Sequence, residues 1–145
     1  MKVTFKGDYA LKAVLDLALH YGKELTTGHD MAQRIDVPVK FLEQVLLELK
    51  KGGFVESRRG NLGGYSLARE PSKITVGEII SYIEGPVEPI ACVKKGYAGC
   101  GDVHKCVFRK LWQKVFEATS SIIDNVTFET LAAQADSVRS FEYSI

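Results

Sequence analysis

The chain has 145 residues, 46% of them hydrophobic and 26% charged, and its formal net charge is +1. This length and composition predict one ordinary globular unit and exclude a disordered chain, a collagen-like repeat and a disulfide-dense mini-protein. No apolar run approaches the ~20 residues that cross a bilayer, and the N-terminus lacks the features of a signal peptide. We therefore expect a cytoplasmic protein without a membrane partner.

Basic side chains are more frequent in the first half of the chain. Residues 1–73 carry 12 Lys and Arg against 9 Asp and Glu, whereas residues 74–145 carry 7 against 9. A basic surface is therefore expected in the first half.

Three helices are predicted before residue 53. Apolar residues at helical spacing predict the first over residues 9–21. Thr27 opens a capping pair that predicts a short helix to about residue 35. A third, strongly amphipathic helix is predicted from Pro38, as its first helical residue, to residue 51, with glycine after it. The short turn between the last two is typical of a helix-turn-helix.

A β-hairpin with a basic, glycine-rich tip is predicted next, in the segment FVESRRGNLGGYSLARE. A helix-turn-helix followed by such a hairpin is typical of a winged helix. The second helix of the motif then enters a DNA major groove, and the wing contacts the backbone or the minor groove. The expected fold class is mainly α with a small β-hairpin wing, followed by a long C-terminal helix.

The second half of the chain begins with a capping box, Thr75 to Glu78, which predicts a helix ending at Gly85. From about Cys106, apolar residues repeat at helical spacing through five turns. This face exceeds what one small domain needs and favours a dimerisation helix, although a purely intramolecular core helix is the alternative. A short helix is predicted after Thr127. The final segment SVRSFEYSI has no strong period, and we expect it to be frayed.

The predicted DNA contacts are exposed polar and basic side chains on the third helix and at the hairpin tip. They are Val39, Lys40, Glu43, Gln44, Arg58, Arg59, Gly60 and Asn61. Gln pairs with adenine and Glu accepts from cytosine, whereas Arg at a wing tip suits phosphates and narrow minor grooves. The alternatives are an ordinary solvated helix face and a charged tip that blunts a sheet edge.

All three cysteines, Cys92, Cys100 and Cys106, lie in the glycine-rich loop over residues 90–106. An odd, clustered set in a reducing compartment favours a metal or an iron–sulfur cluster over disulfides. Three thiolates supply three of the four protein ligands that such clusters commonly have. The alternatives are a zinc site completed by His104, a metal-free thiol switch and inert cysteines. No nucleotide loop, G-x-S-x-G motif or paired acid and base is found, so no enzyme is predicted.

Four segments together resemble the Rrf2 family of bacterial winged-helix regulators, which includes IscR-, NsrR- and RirA-like members. They are VTFKGDYALKAVLDLA, FLEQVLLELKKGGFVESRRGNLGGYSLAR, ITVGEII and the three-cysteine loop. The resemblance implies a homodimeric repressor that binds a palindromic operator in double-stranded DNA, takes no small-molecule substrate and carries an iron–sulfur cluster. Residues 1–73 would form the DNA-binding domain. Residues 74–145 would form the cluster loop and the dimerisation helix, in one compact unit with the first part.

The cysteine spacing C-x7-C-x5-C refines what the resemblance implies. IscR-like members have a tighter first spacing and a histidine three residues after the last cysteine, where this chain has Arg109. The wider spacing resembles NsrR and RirA members and favours [4Fe–4S] over [2Fe–2S]. Asp8 matches the aspartate that the other subunit donates as fourth ligand in some NsrR proteins. Its alternative role is to stabilise a helix end. Family members that regulate cysteine metabolism lack these three cysteines.

Overall fold

The computed structural model describes residues 2–101 and 104–144, so two residues of the predicted cysteine loop and the last residue of the tail lie outside it. The described chain is mainly helical, as predicted. Its elements are α1 (Phe5–Leu19), α2 (Gly28–Ile35), α3 (Val39–Lys51), β1 (Val55–Arg58), β2 (Gly64–Leu67), α4 (Val76–Glu84), α5 (Val107–Ile123) and α6 (Phe128–Ser144), with short 3-10 turns at Pro71–Lys73 and Ala91–Val93.

The predicted helix-turn-helix is confirmed in α2 and α3. The side chain of Thr27 accepts a hydrogen bond from the backbone nitrogen of Asp30 at 3.1 Å, which caps α2 as the sequence indicates. Asp36 ends α2 in the left-handed conformation, with φ of 53°. Pro38 lies at the N-cap of α3, one residue before the predicted position, because its ψ of 131° is extended.

Helix α1 begins a full turn earlier than predicted, at Phe5 instead of residue 9, and it ends at Leu19. Its N-cap is Thr4, whose hydroxyl accepts from the backbone nitrogen of Gly7. The carboxylate of Glu84, at the end of α4, also accepts from the backbone nitrogens of Thr4 and Gly7, at 2.9 and 3.1 Å. The first turn therefore has a local cap at Thr4 and a second contact from a distant part of the chain, and only the second is beyond the reach of local sequence patterns.

The hairpin pairs β1 with β2 in antiparallel register, from Val55 opposite Leu67 to Arg58 opposite Gly64. A single bridge joins the hairpin to the segment that precedes α2. The backbone nitrogen of Thr26 donates to the carbonyl of Tyr65 at 3.0 Å, and the nitrogen of Tyr65 donates back at 2.7 Å. The wing is thus fixed to the base of the helix-turn-helix.

One hydrophobic core joins both halves of the described chain. It includes Leu17 of α1, Leu46 of α3, Ile79 of α4 and the fully buried Phe128 of α6. The expectation of a frayed tail is wrong, because α6 continues to Ser144. No glycine or proline follows residue 127 in the sequence, so nothing in the backbone chemistry interrupts the helix once Phe128 is buried.

Helix α5 lies outside this core. None of its 17 residues, all within the described chain, is fully buried. Its apolar side chains Val107, Phe108 and Ile122 are 76%, 63% and 65% exposed. Across residues 2–101 and 104–144, none of the helices has the length and apolar character that crossing a membrane requires.

Candidate DNA-binding surface and cysteine loop

Helix α3 presents a polar face opposite its buried one. Leu42, Val45, Leu46 and Leu49 are buried in the core at helical spacing. Lys40, Glu43 and Gln44 are consequently exposed, and Val39 is half-buried at the start of the helix. The predicted base-reading residues therefore share one accessible face near the N-terminal end of the helix, where recognition helices meet base edges.

The wing tip exposes Arg58, Arg59, Gly60 and Asn61, as predicted. The turn requires glycine at Gly63, because an added Cβ would lie 2.3 Å from the carbonyl oxygen of Arg58. Leu62 is 94% exposed at the same tip, an apolar side chain that the sequence alone did not single out. The tip thus places two guanidinium groups and one apolar side chain next to each other.

Two polar contacts hold the motif together. The ammonium group of Lys50, near the end of α3, donates to the hydroxyl of Ser57 on β1 at 2.7 Å, which ties the recognition helix to the wing. The guanidinium of Arg34 binds the buried carboxylate of Asp16, with its closest contact at 2.7 Å, and also the hydroxyl of Thr26. Its hydrogen bond to Asp16 raises the pKa of Arg34. Both contacts fix the relative positions of helices and wing before any ligand binds.

The three cysteines, all described, are free thiols at different depths of the loop. Cys92 lies half-buried in the 3-10 turn Ala91–Val93, and Cys100 is exposed. Cys106 is half-buried at the N-cap of α5.

The described part of the chain does not bring these ligands together. Among residues 2–101 and 104–144, no group of three or more His, Cys, Asp or Glu side chains is placed to hold a metal ion. The donor set nevertheless fits an iron–sulfur cluster in its chemistry, because it offers three soft thiols, none of them fully buried. Glycines on the loop leave the backbone free to bend around such a group.

Arg109 anchors the loop to α5. Its Nε donates to the backbone carbonyl of Cys92 at 3.1 Å. A guanidinium stays protonated and does not ligate metals, so this position offers no ligand of the kind that histidine provides. His104, the alternative fourth ligand in a zinc site, is exposed.

Asp8 lies in the first turn of α1, half-buried beside a shallow hollow lined by Val3 and Phe5. Its carboxylate pairs with the ammonium group of Lys12, one turn along the helix, at 2.7 Å. This hydrogen bond raises the pKa of Lys12. Within the one chain described, Asp8 does not join the cysteines in a metal-binding group.

Sequence reasoning missed three residues that organise these sites: Arg34, Glu84 and, in its observed role, Arg109. A signal for Arg34 was present, because Asp16 stands among the apolar residues of α1 and a buried carboxylate requires a partner. Glu84 and Arg109 gave no comparable signal. Glu84 binds two backbone nitrogens and the hydroxyl of Thr4, 77 or more residues away, and Arg109 binds a backbone carbonyl 17 residues away.

Comparison with known proteins gives consistent matches along the chain. Residues 3–134 match the Rrf2 family, described as iron-dependent transcriptional regulators. A putative HTH-type regulator, rrf2-like, of Rhodobacter capsulatus is 38% identical over 90% of this chain and 92% of its own length. The regulator IscR of Yersinia pseudotuberculosis is 35% identical over 94% of this chain and 82% of its own length.

Two solved structures share the fold. CymR, the global cysteine regulator of B. subtilis, aligns with a TM-score of 0.78 and 33% identity over 92% of this chain and 98% of its own. T. potens IscR aligns with a TM-score of 0.74 and 34% identity over 93% of this chain and 88% of its own. The winged-helix architecture predicted from the sequence is confirmed by these neighbours.

Proposed function

The chain belongs to the Rrf2 family of transcriptional regulators, and from this premise we propose that it is an iron–sulfur cluster-dependent repressor that binds a palindromic operator as a homodimer. It is a DNA-binding regulator, not an enzyme. The proposal concerns what it senses: nitric oxide, redox state, or the supply of iron and clusters.

One observation carries the sensing proposal. Three free thiols occupy a single loop that ends at the N-cap of a helix with an exposed apolar face. Inert structural cysteines are usually buried, whereas these three range from half-buried to exposed. The loop is held to α5 through Arg109, so a change in the loop acts directly on the helix proposed to form the dimer.

Cys92, Cys100 and Cys106 would hold the cluster, and Asp8 of the partner subunit would complete the set. A [4Fe–4S] cluster is favoured over [2Fe–2S] by the resemblance of the cysteine spacing to NsrR and RirA members. An oxygen ligand from Asp8 would bind iron less strongly than a fourth thiolate and would leave that position open to attack by nitric oxide or oxygen.

Packing within the chain provides a route from the loop to the DNA. The loop contacts α5 through Arg109, α5 contacts α4, and α4 packs on α1. Helix α1 packs in turn on the recognition helix α3. In a dimer the two copies of α3 must match half-sites about one DNA turn apart, so a small change in loop order alters DNA affinity.

Native mass spectrometry of protein purified without oxygen tests the proposal. The expected species is a dimer that carries one iron–sulfur unit per chain. Cys92→Ser and Cys106→Ser should lose both iron and visible absorbance, whereas Lys95→Ala in the same loop should keep them. A dimer that carries zinc or no metal would contradict the proposal that the chain binds an iron–sulfur cluster.

A second candidate function follows from the structural match to a cysteine regulator. In that case the chain regulates sulfur or cysteine metabolism, and the three thiols form a zinc-stabilised site with His104 or a thiol switch. The same mass measurement separates the two functions, because zinc or an oxidised thiol pair replaces the iron and sulfide. The DNA-binding residues are common to both.

A further inference from the structure

The carboxylate of Glu84 binds the N-terminus of α1 through three hydrogen bonds to one oxygen. The backbone nitrogens of Thr4 and Gly7 donate at 2.9 and 3.1 Å, and the hydroxyl of Thr4 donates as well. Glu84 is the last residue of α4, about 80 residues from these donors along the chain. We call this arrangement the Glu84 clamp.

The Glu84 clamp requires that residue 7 has no side chain. A Cβ built at Gly7 would lie 2.2 Å from Oε1 of Glu84, so any larger residue displaces the carboxylate. The bonds also place a negative charge at the positive end of the α1 dipole. They lower the pKa of Glu84, chiefly through its hydrogen bond to the side chain of Thr4.

Capping alone does not account for the clamp. Helices α2 and α4 are capped by the local threonines Thr27 and Thr75, each of which accepts from the backbone nitrogen three residues later. Thr4 makes the same kind of contact with Gly7 in α1. The carboxylate of Glu84 is therefore an additional link between two helices at a terminus that already has its local cap.

The position of the clamp connects the cysteine loop to the DNA-binding helices. Glu84 precedes the chain that leads to Cys92, and Gly85, with φ of 90°, starts that segment. On the other side, Gly7 is adjacent to Asp8, whose backbone nitrogen bonds to the carbonyl of Thr4. Because α1 packs on α3, a shift of Glu84 moves the turn that carries Asp8 and the support of the recognition helix together.

We propose that Glu84 is a positioning residue that transmits the state of the cysteine loop to α1 and thereby to the recognition helix. The inference rests on the proposed function, because it assumes that loaded and unloaded loops bind DNA differently. Beyond that function, it identifies the contact of Glu84 with α1 as the one that makes DNA affinity depend on the state of the loop. A purely structural role would change stability without changing that difference.

The test compares DNA affinity of the cluster-loaded and cluster-free forms of the full-length dimer at one salt concentration. The probe is a duplex enriched from a random-sequence library by the wild-type protein. Three variants are compared: Glu84→Ala, Gly7→Ala and the control Glu78→Ala. Gly7→Ala is informative because alanine favours helix more than glycine does, so it should keep α1 folded while displacing the carboxylate. Glu78 lies on the same helix as Glu84 but pairs only loosely with Arg69, at 3.6 Å.

In the wild type we expect the two forms to differ in affinity by about 5–150-fold, the usual range of allosteric coupling. Glu84→Ala and Gly7→Ala should both reduce this ratio to within about threefold, while Glu78→Ala keeps it. If both clamp variants keep the wild-type ratio of loaded to unloaded DNA affinity, Glu84 does not transmit the state of the loop, and the proposed sensing remains intact. A wild-type ratio of one overturns the sensing proposal itself and the clamp with it.

Discussion

Asp16 and Arg34 join α1 to α2 through a two-point contact. Nε of Arg34 donates to Oδ1 of Asp16 at 3.0 Å, and Nη2 donates to Oδ2 at 2.7 Å. Only 4% of the Asp16 side chain is exposed. A carboxylate buried to this extent depends on its partner, since it has lost most of its hydration.

Replacing Arg34 by methionine should destabilise the protein by about 2–3 kcal/mol. The cost falls below the ~3–5 kcal/mol typical of a fully buried pair, because the side chain of Arg34 itself is 36% exposed. Urea unfolding at neutral pH measures the change. Lys6→Met is the control, since the surface pair of Lys6 with Glu48 should contribute less than about 1 kcal/mol. Equal losses in the two variants would contradict the structural role of Arg34.

The recognition helix and the wing should contribute differently to DNA binding. Arg59→Ala should weaken binding to all duplexes, because we expect the exposed guanidinium at the wing tip to contact DNA phosphates. The slope of log K against the logarithm of salt concentration should then fall by about one. Gln44→Ala should instead change the preference among sequences, at a cost of about 1–3 kcal/mol at the affected base pair. Salt titrations on a selected and a scrambled duplex check both. Parallel effects on the two duplexes in both variants would remove the distinction.

Local chemistry explains which helices could be predicted from the sequence. The boundaries of α2 and α4 follow from Thr27 and Thr75, whose side chains cap the helix that begins one residue later. Helix α3 was recognisable because its apolar residues repeat at helical spacing and glycine follows it. These signals act over three to five residues, the range that a sequence pattern records.

The features that the sequence did not reveal depend on distant contacts. Glu84 reaches the first turn of α1 from about 80 residues away, and Phe128 at the start of α6 is buried in a core that includes residues of α1 and α4. The polar face of α3 could be predicted from periodicity, whereas the three cysteines that the sequence predicts as joint ligands are not grouped around one point among the described residues. Metal sites often close only when the metal and, in an oligomer, the second chain are bound.

Acid should weaken the contribution of Glu84 to stability. Its pKa lies below the ordinary value in the folded chain, mainly because of its hydrogen bond to Thr4. A lowered folded-state pKa gives a stabilisation that is complete above the ordinary carboxylate pKa and is lost as pH falls through the lowered one. The difference in unfolding free energy between wild type and Glu84→Gln should therefore shrink between neutral pH and about pH 3. Urea unfolding across this range provides the measurement, and a constant difference would contradict the clamp geometry.

Asp8→Ala tests the proposed fourth ligand. We expect the protein to fold and dimerise, with a cluster of altered absorbance spectrum and faster loss in air, because one iron loses its oxygen ligand. Asp30→Ala is the matched control, since Asp30 occupies the first turn of α2 as Asp8 does in α1. Both variants should lose a similar, small helix-end stabilisation of about 0.3–1 kcal/mol. A cluster unchanged in Asp8→Ala would assign Asp8 to the helix end alone.

Helix α5 should form the dimer interface through its exposed apolar face. Leu111→Glu places a charge on that face, where Leu111 is 49% and Val115 39% exposed in the single chain. Because none of the residues of α5, all described, is fully buried, the variant should keep its fold and its thermal unfolding transition while becoming a monomer. Light scattering coupled to gel filtration measures the mass, and Lys114→Glu on the same helix is the control for added negative charge.

The Leu111→Glu monomer should also bind a single half-site weakly, since two linked recognition helices gain affinity from being held together. A Leu111→Glu protein that remains dimeric would place the interface elsewhere and would separate the cysteine loop from the dimer contact.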